Sequence, residues 1–180
     1  MAASQGNILT FLNSCSQAIT ARARLPQEVQ GARVLAERLV AATPLPFKPS
    51  WQPALHGIHA VHDTPLAQDF VHVASLLPWV PTLKGGDGGA AFARVPLSEM
   101  FDFGGATVGI LYIKAGAQFP PHRHKPQELY YIISGQGLWR WGGNTQPQPV
   151  GPGEVLYNNP YDYHFAISGE SPVVALYCLW

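Results

Sequence analysis

Apolar residues in the first 75 positions recur at steps of three and four, the period of a helix with one buried face. Residues 5–20 carry Ile8, Leu9, Leu12 and Ile19 among polar neighbours. Residues 26–42 repeat the pattern through Val29, Ala32, Ala36, Leu39 and Val40, with Pro26 and Glu28 suited to a first helical turn. A third helix is predicted to start at Thr64 with Pro65 as its first residue. Leu66, Phe70, Val73 and Leu77 form its stripe, and Pro78 stops it. The intervening stretch TPLPFKPSWQP holds four prolines and reads as an extended connector. Residues 84–90, KGGDGGA, read as a loop.

Near residue 90 the period changes. Short β-rich runs (ATVGILYI, ELYYII, GLWRW, EVLY, YHFAI and VVALYCLW) alternate with Gly and Pro breaks. Their spacing is that of an all-β sandwich or barrel. The reading is a mainly β chain: an N-terminal helical segment over 1–75 packing on a barrel over 76–180.

Composition narrows the setting. The chain has 180 residues, about one domain, of which 47% are hydrophobic and 12% charged. Gly 18 and Pro 17 agree with many tight turns. The formal net charge is zero with no basic patch, which argues against a nucleic-acid partner. No apolar run approaches the ~18 residues of a membrane helix. The start MAASQGNILT has no basic-then-apolar leader, and Cys15 and Cys178 lie at opposite ends of the chain. A reduced, cytoplasmic setting is therefore expected. The hydrophobic content is compatible with a homodimer.

Candidate chemistry is concentrated in GAQFPPHRHKPQELYYIISG, residues 116–135. His122 and His124 are two apart, and on a strand such residues share a face. Glu128 follows four later, beyond Pro126, so parity alone does not place it with them. His164 lies in the run NNPYDYHFAIS. Three imidazoles and a carboxylate suit a divalent transition metal and leave open positions for a substrate. The alternative is that two nearby histidines are ordinary surface or core residues. The spacing of Gly116, His122, His124, Glu128 and Gly135 reproduces the first cupin motif at every position. The second motif is looser: Pro152-Gly153 opens it, the usual Gly before the His is absent around Pro160-Tyr161-Asp162, and Ser168 replaces Asn. The expected fold is thus a single cupin, or jelly-roll, barrel.

In ELYYII, Glu128, Tyr130 and Ile132 share one face. If Glu128 faces a metal, so does Tyr130, whose phenol would then be acidified from about 10 and able to act as a general base. The alternative is that Tyr130 simply fills the barrel. His56, His59 and His62, followed by His72, recur at helical steps, but no carboxylate or cysteine completes a site there.

The segments FPPHRHKPQELYYIISGQGLW and PQPVGPGEVLYNNPYDYHFAISGESPVVALYCLW, with Leu77-Pro78-Trp79 before them, resemble the cupin-type dimethylsulfoniopropionate (DMSP) lyases. The resemblance covers residues 76–180, and the first 75 only in architecture. It implies a lyase that cleaves DMSP to dimethyl sulfide and acrylate. It implies metal ligands at His122, His124, Glu128 and His164, a base at Tyr130, and Trp180 lining the substrate pocket. Phe119 falls where the family can carry a Tyr, and is taken as a second substrate-binding position. The ion is one of Fe, Mn, Zn, Co or Ni. The partner is a small zwitterion, and aromatic faces such as Trp139, Trp141, Tyr157, Tyr163 and Trp180 suit its sulfonium. Two other readings remain at this point: an Fe(II)-dependent cupin dioxygenase acting on another small acid, and a non-catalytic module binding a small ligand.

Overall fold

The computed structural model describes residues 2–46, 64–81 and 91–180. The histidines at 56, 59 and 62 and the glycine-rich loop at 84–90 lie outside them. Three helices come first: α1 (Ala2–Arg22), α2 (Pro26–Val40) and α3 (Pro65–Ala74). Ile8, Leu12, Cys15 and Ile19 on α1 are buried, as the helical period requires. Pro26 opens α2, and the Glu28 carboxylate accepts from the N–H groups of Arg24 and Leu25 at 3.2 and 3.1 Å. The buried stripe of α2 differs from the expected one: Gly31, Ala32, Leu35 and Leu39 face inward, while Val29 and Val40 are exposed. The cause is the close approach at Gly31, where an added Cβ would meet Leu129, Trp180 and Tyr157 at 2.9–3.3 Å. Thr64 caps α3, its hydroxyl accepting from Ala67 N at 3.1 Å.

The strands are β1 (Thr43–Pro44), β2 (Val80–Pro81), β3 (Phe92–Val95), β4 (Phe101–Asp102), β5 (Thr107–Ile113), β6 (Gln118–His122), β7 (Glu128–Ser134), β8 (Gly137–Arg140), β9 (Gln148–Val150), β10 (Val155–Asn158), β11 (His164–Ser168) and β12 (Val173–Leu179). They form a six-stranded sheet in the order β10-β7-β12-β5-β3-β2 and a four-stranded sheet in the order β6-β11-β8-β9, with β1 and β4 paired separately. Each β-rich run of the sequence is one of these strands. Strands β6 and β9 are less legible, because QFPPH and QPV carry prolines that argue against strands.

Alternation sorts the six-stranded sheet into two faces. Its outer face (Leu129, Tyr131, Ile133, Leu176 and Cys178) joins the buried residues of the three helices in one core. Its inner face (Tyr130, Ile132, Ala175 and Tyr177) meets Trp139 and Ala166 of the four-stranded sheet in a second core, the barrel interior. The motif glycines serve turns. Gly135 has φ +82°, and a Cβ there would collide with the Pro172 carbonyl. Ser168, in the position expected for Asn, accepts from Ala117 N at 3.1 Å and so ties β11 to the turn at Gly116. This is a cupin barrel with N-terminal helices. No helix of the described residues is long and apolar enough to cross a membrane.

Candidate functional site

The ends of β6, β7 and β11 meet at one point. His122, the last residue of β6, is directly opposite His164, the first of β11. His124 lies beyond β6, in the connection that carries the chain to the other sheet, so strand parity is not what aligns the two histidines. Glu128 opens β7 and reaches the same point from the facing sheet. The ligand atoms of His122, His124 and His164 all lie within 4.8 Å of one another. Glu128 Oε2 is 3.1 Å from His124 Nε2 and 3.0 Å from His164 Nε2.

Backbone carbonyls fix the rings. Nδ1 of His122 is 3.0 Å from Pro120 O, that of His124 is 3.0 Å from Pro126 O, and that of His164 is 2.9 Å from Asp162 O. A carbonyl only accepts, so each Nδ1 carries a proton and each Nε2 turns its lone pair toward the centre. His164 Nε2 is buried and makes no hydrogen bond of normal geometry, although the carboxylate is close. Nitrogen lone pairs facing a carboxylate at about 3 Å, as the two contacts above do, require positive charge between them, whether protons or a metal ion. The donor set of imidazoles and one carboxylate fits a divalent transition metal, and the carbonyl contacts are the outer-shell support such ligands need. This group can hold a metal ion.

The charges agree. Burial, with repulsion from His164 next, lowers His122 from 6.5 to about 4, so its ring is neutral at pH 7. Burial on its own would raise the Glu128 carboxyl; its contacts with His124 and His164 outweigh that and bring it to about 2. Glu128 is thus an anion although almost wholly buried. Asn158, which sequence reasoning did not single out, holds it in place. Asn158 pairs with Glu128 across β10 and β7, its Nδ2 donates to Glu128 Oε2 at 3.3 Å, and its Oδ1 accepts from Gly142 N at 3.0 Å. Only knowledge of the β7–β10 register could have found it.

Tyr130 points into the barrel interior, its ring 6.3 Å from that of His164, 5.0 Å from Trp139 and 6.2 Å from Tyr177. Burial first, and then the Glu128 charge, push its phenol well above the ordinary value near 10. Phe119 stands at the cluster, ring to ring with His122 at 5.0 Å and with Phe92 at 5.5 Å. Trp180 is not brought to the cluster. It packs on the helix side, 6.2 Å from the Tyr157 ring and against Gly31. Of the other aromatics, Trp139 is inside the barrel and Trp141 at its edge, while Tyr163 is exposed with the Arg140 guanidinium over its ring at 5.5 Å. Arg123, between the two histidines, is exposed.

Fold and site together define a cupin with a histidine-rich cluster that could hold a metal ion, beside a buried tyrosine. Comparison with known proteins then shows what the chain is similar to. The dimethylsulfoniopropionate lyase family model matches residues 102–175. Dimethylsulfoniopropionate lyase DddQ of Ruegeria pomeroyi is 26% identical over 118 residues, covering 62% of this chain. The match spans 58% of that relative's length. The crystal structure of DddQ from Ruegeria pomeroyi superposes with a TM-score of 0.69 at 22% identity, over 95% of this chain and 90% of that one. A crystal structure from work on the DMSP lyases RdDddP and RnDddQII superposes with a TM-score of 0.68 at 20% identity, over 98% and 93%. These two likenesses extend the shared fold to the helical half.

Proposed function

We propose that the protein is a metal-dependent carbon–sulfur lyase that cleaves DMSP to dimethyl sulfide and acrylate by base-catalysed β-elimination. His122, His124, Glu128 and His164 hold the metal, and Tyr130 is the base. A divalent transition metal held there supplies positive charge that polarises a carboxylate and offsets the burial and anionic neighbour now keeping the Tyr130 phenol protonated. The Tyr130 oxygen takes the proton from the carbon next to the carboxylate. The electrons of that C–H bond form the new carbon–carbon double bond, and those of the C–S bond leave with sulfur as neutral dimethyl sulfide. One proton, one acrylate and one dimethyl sulfide result, with no oxidant.

The observation that carries this reading is the buried Tyr130 phenol on the same inner strand face as Glu128, two residues along, with the three imidazoles around that carboxylate. The match of residues 102–175 to the dimethylsulfoniopropionate lyase family model supports the choice of substrate. The site contains no serine or cysteine nucleophile among its described residues, and the elimination needs none. Phe119 borders the cluster and suits a contact with the sulfonium methyl groups.

The test is dimethyl sulfide release from purified protein and DMSP, with a panel of divalent metals and with Tyr130→Phe. Release is expected to require metal, to stop on chelation, and to fall about 10²–10⁴-fold in the variant. Metal-dependent release that survives Tyr130→Phe would remove Tyr130 as base. Oxygen consumption without dimethyl sulfide would favour the dioxygenase reading instead.

A further inference from the structure

Among the described residues, three buried side-chain polar atoms have no hydrogen-bond partner: His164 Nε2 in the cluster, Ser134 Oγ near the end of β7, and Trp139 Nε1 inside the barrel. Trp139 is 2% exposed, and its Nε1–H has no hydrogen-bond partner. A buried indole N–H left unpaired destabilises the folded protein, and native interiors rarely contain one. Packing does not explain it, because a phenylalanine or leucine would fill apolar space without leaving a donor. Trp139 sits on β8 opposite Ala166 of β11, whose small side chain leaves room for the indole. Its ring meets Tyr130 edge-on at 5.0 Å, and Tyr130 in turn lies against His164. The orphan donor is therefore one aromatic ring away from the metal-binding cluster.

We infer that Trp139 Nε1–H is the hydrogen-bond donor that orients the substrate in the barrel, by binding its carboxylate. The inference rests on the lyase reading for the identity of the ligand. Indole N–H donates and never accepts. In a short sulfonium carboxylate, only the carboxylate accepts hydrogen bonds; the sulfonium offers neither donor nor acceptor. The donor thus selects one end of the molecule. With one carboxylate oxygen on Trp139 and the other toward the cluster, the acidic C–H next to it is presented to Tyr130, and the dimethylsulfonium is directed toward Phe119. Trp139 therefore contributes through its edge, and the cation-facing role of its ring face passes to Phe119.

The test uses the full-length, zinc-loaded protein and propionate, a short carboxylate that cannot undergo elimination. Tryptophan is labelled with ¹⁵N, and the Trp139 indole resonance is identified by its loss in Trp139→Phe. Saturating propionate is expected to shift that resonance. Replacement of Trp139 by 3-benzothienylalanine, which keeps the ring shape and replaces N–H with sulfur, is expected to weaken propionate binding about tenfold while zinc binding is unchanged. With DMSP, the same replacement raises KM about tenfold and changes kcat little. An unmoved indole resonance, or propionate affinity within about twofold of the native protein, overturns the inference. If native protein releases dimethyl sulfide but propionate binding ignores the N–H, the inference falls and the lyase reading stands. Trp139-dependent propionate binding without dimethyl sulfide release gives the reverse.

Discussion

Gly109→Ala tests how tightly the wall behind Tyr130 is built. Gly109 lies on β5, opposite Tyr177 of β12. A Cβ at Gly109 would stand closer than 3.0 Å to Oη and Cζ of Tyr177 and 2.6 Å from the Val95 carbonyl oxygen. Ordinary contact begins near 3.4 Å. Either the Tyr177 ring must tilt toward Tyr130, or β3 must move away from β5. Overpacking of this kind costs about 1–3 kcal/mol. The stiffer unfolded chain of alanine returns about 0.4–1 kcal/mol. The net expectation is a loss of about 1–2 kcal/mol, or about 2–8 °C in Tm for a chain of this size. Thermal and urea unfolding of the metal-free protein, followed by circular dichroism, measure it. In a double-mutant cycle with Tyr177→Leu, which removes both clashing ring atoms, the two substitutions should couple by about 1 kcal/mol or more. Wild-type stability in Gly109→Ala, or strict additivity with Tyr177→Leu, would refute the claim that the glycine exists to admit the Tyr177 ring.

Three further outcomes are expected. Tyr161 is a non-glycine residue at φ +64° in an exposed turn, beside the second motif's missing glycine; Tyr161→Gly should leave stability unchanged or raise it by up to about 1 kcal/mol in urea unfolding, and a loss would show that the ring matters. In metal-free protein, His122 titrates near 4 when folded and near 6.5 when unfolded, so the unfolded chain binds more protons in that window. Stability should therefore be full above about pH 6.5 and fall toward pH 4, with Glu128 adding a loss between about 4.5 and 2, and a Tm that is higher at pH 4.5 than at pH 7 would contradict this. Burial raises the thiols of Cys15 and Cys178, the latter to about 12, so iodoacetamide at pH 8 should label neither until denaturant opens the core, as read by mass spectrometry.

Much of the site was legible because its logic is local. Spacing identifies His122, His124, Glu128 and His164, and the period-2 rule puts Tyr130 on Glu128's face. The route to convergence was not legible. Parity suggests that His122 and His124 align along one strand, yet β6 ends at His122, and the connection to β7 delivers both His124 and Glu128. Sheet closure does that, and closure is a non-local property. Trp180 shows the same rule applied from the other end. Along β12, Ala175 and Tyr177 belong to the interior, while Leu176 and Cys178 face the helices. Continued alternation carries Trp180 to the helix side, where it is found, although the family resemblance implied a place in the pocket. Asn158 and the orphaned Trp139 donor depend on cross-strand register, which no single segment encodes.

The division of β7 between two cores ties the helical half of the chain to the chemistry. Glu128 faces the cluster, and its neighbour Leu129 faces α2, where an added Cβ on Gly31 would come within 2.9 Å of Leu129 Cδ1. Helix and strand are in contact at the closest approach a glycine permits. The backbone bearing Glu128 is thus held from behind by α2 and from the side by Asn158, whose amide reaches Glu128 Oε2. A carboxylate kept anionic in a buried site must be held against movement, because a small displacement would cost it the contacts that offset its desolvation. The described residues among the first 75 contribute no group to the cluster, and the family-model match begins only at residue 102. Their contribution is mechanical: the described helices form the outer wall that fixes the strand from which both the proposed acidic ligand and the proposed base project.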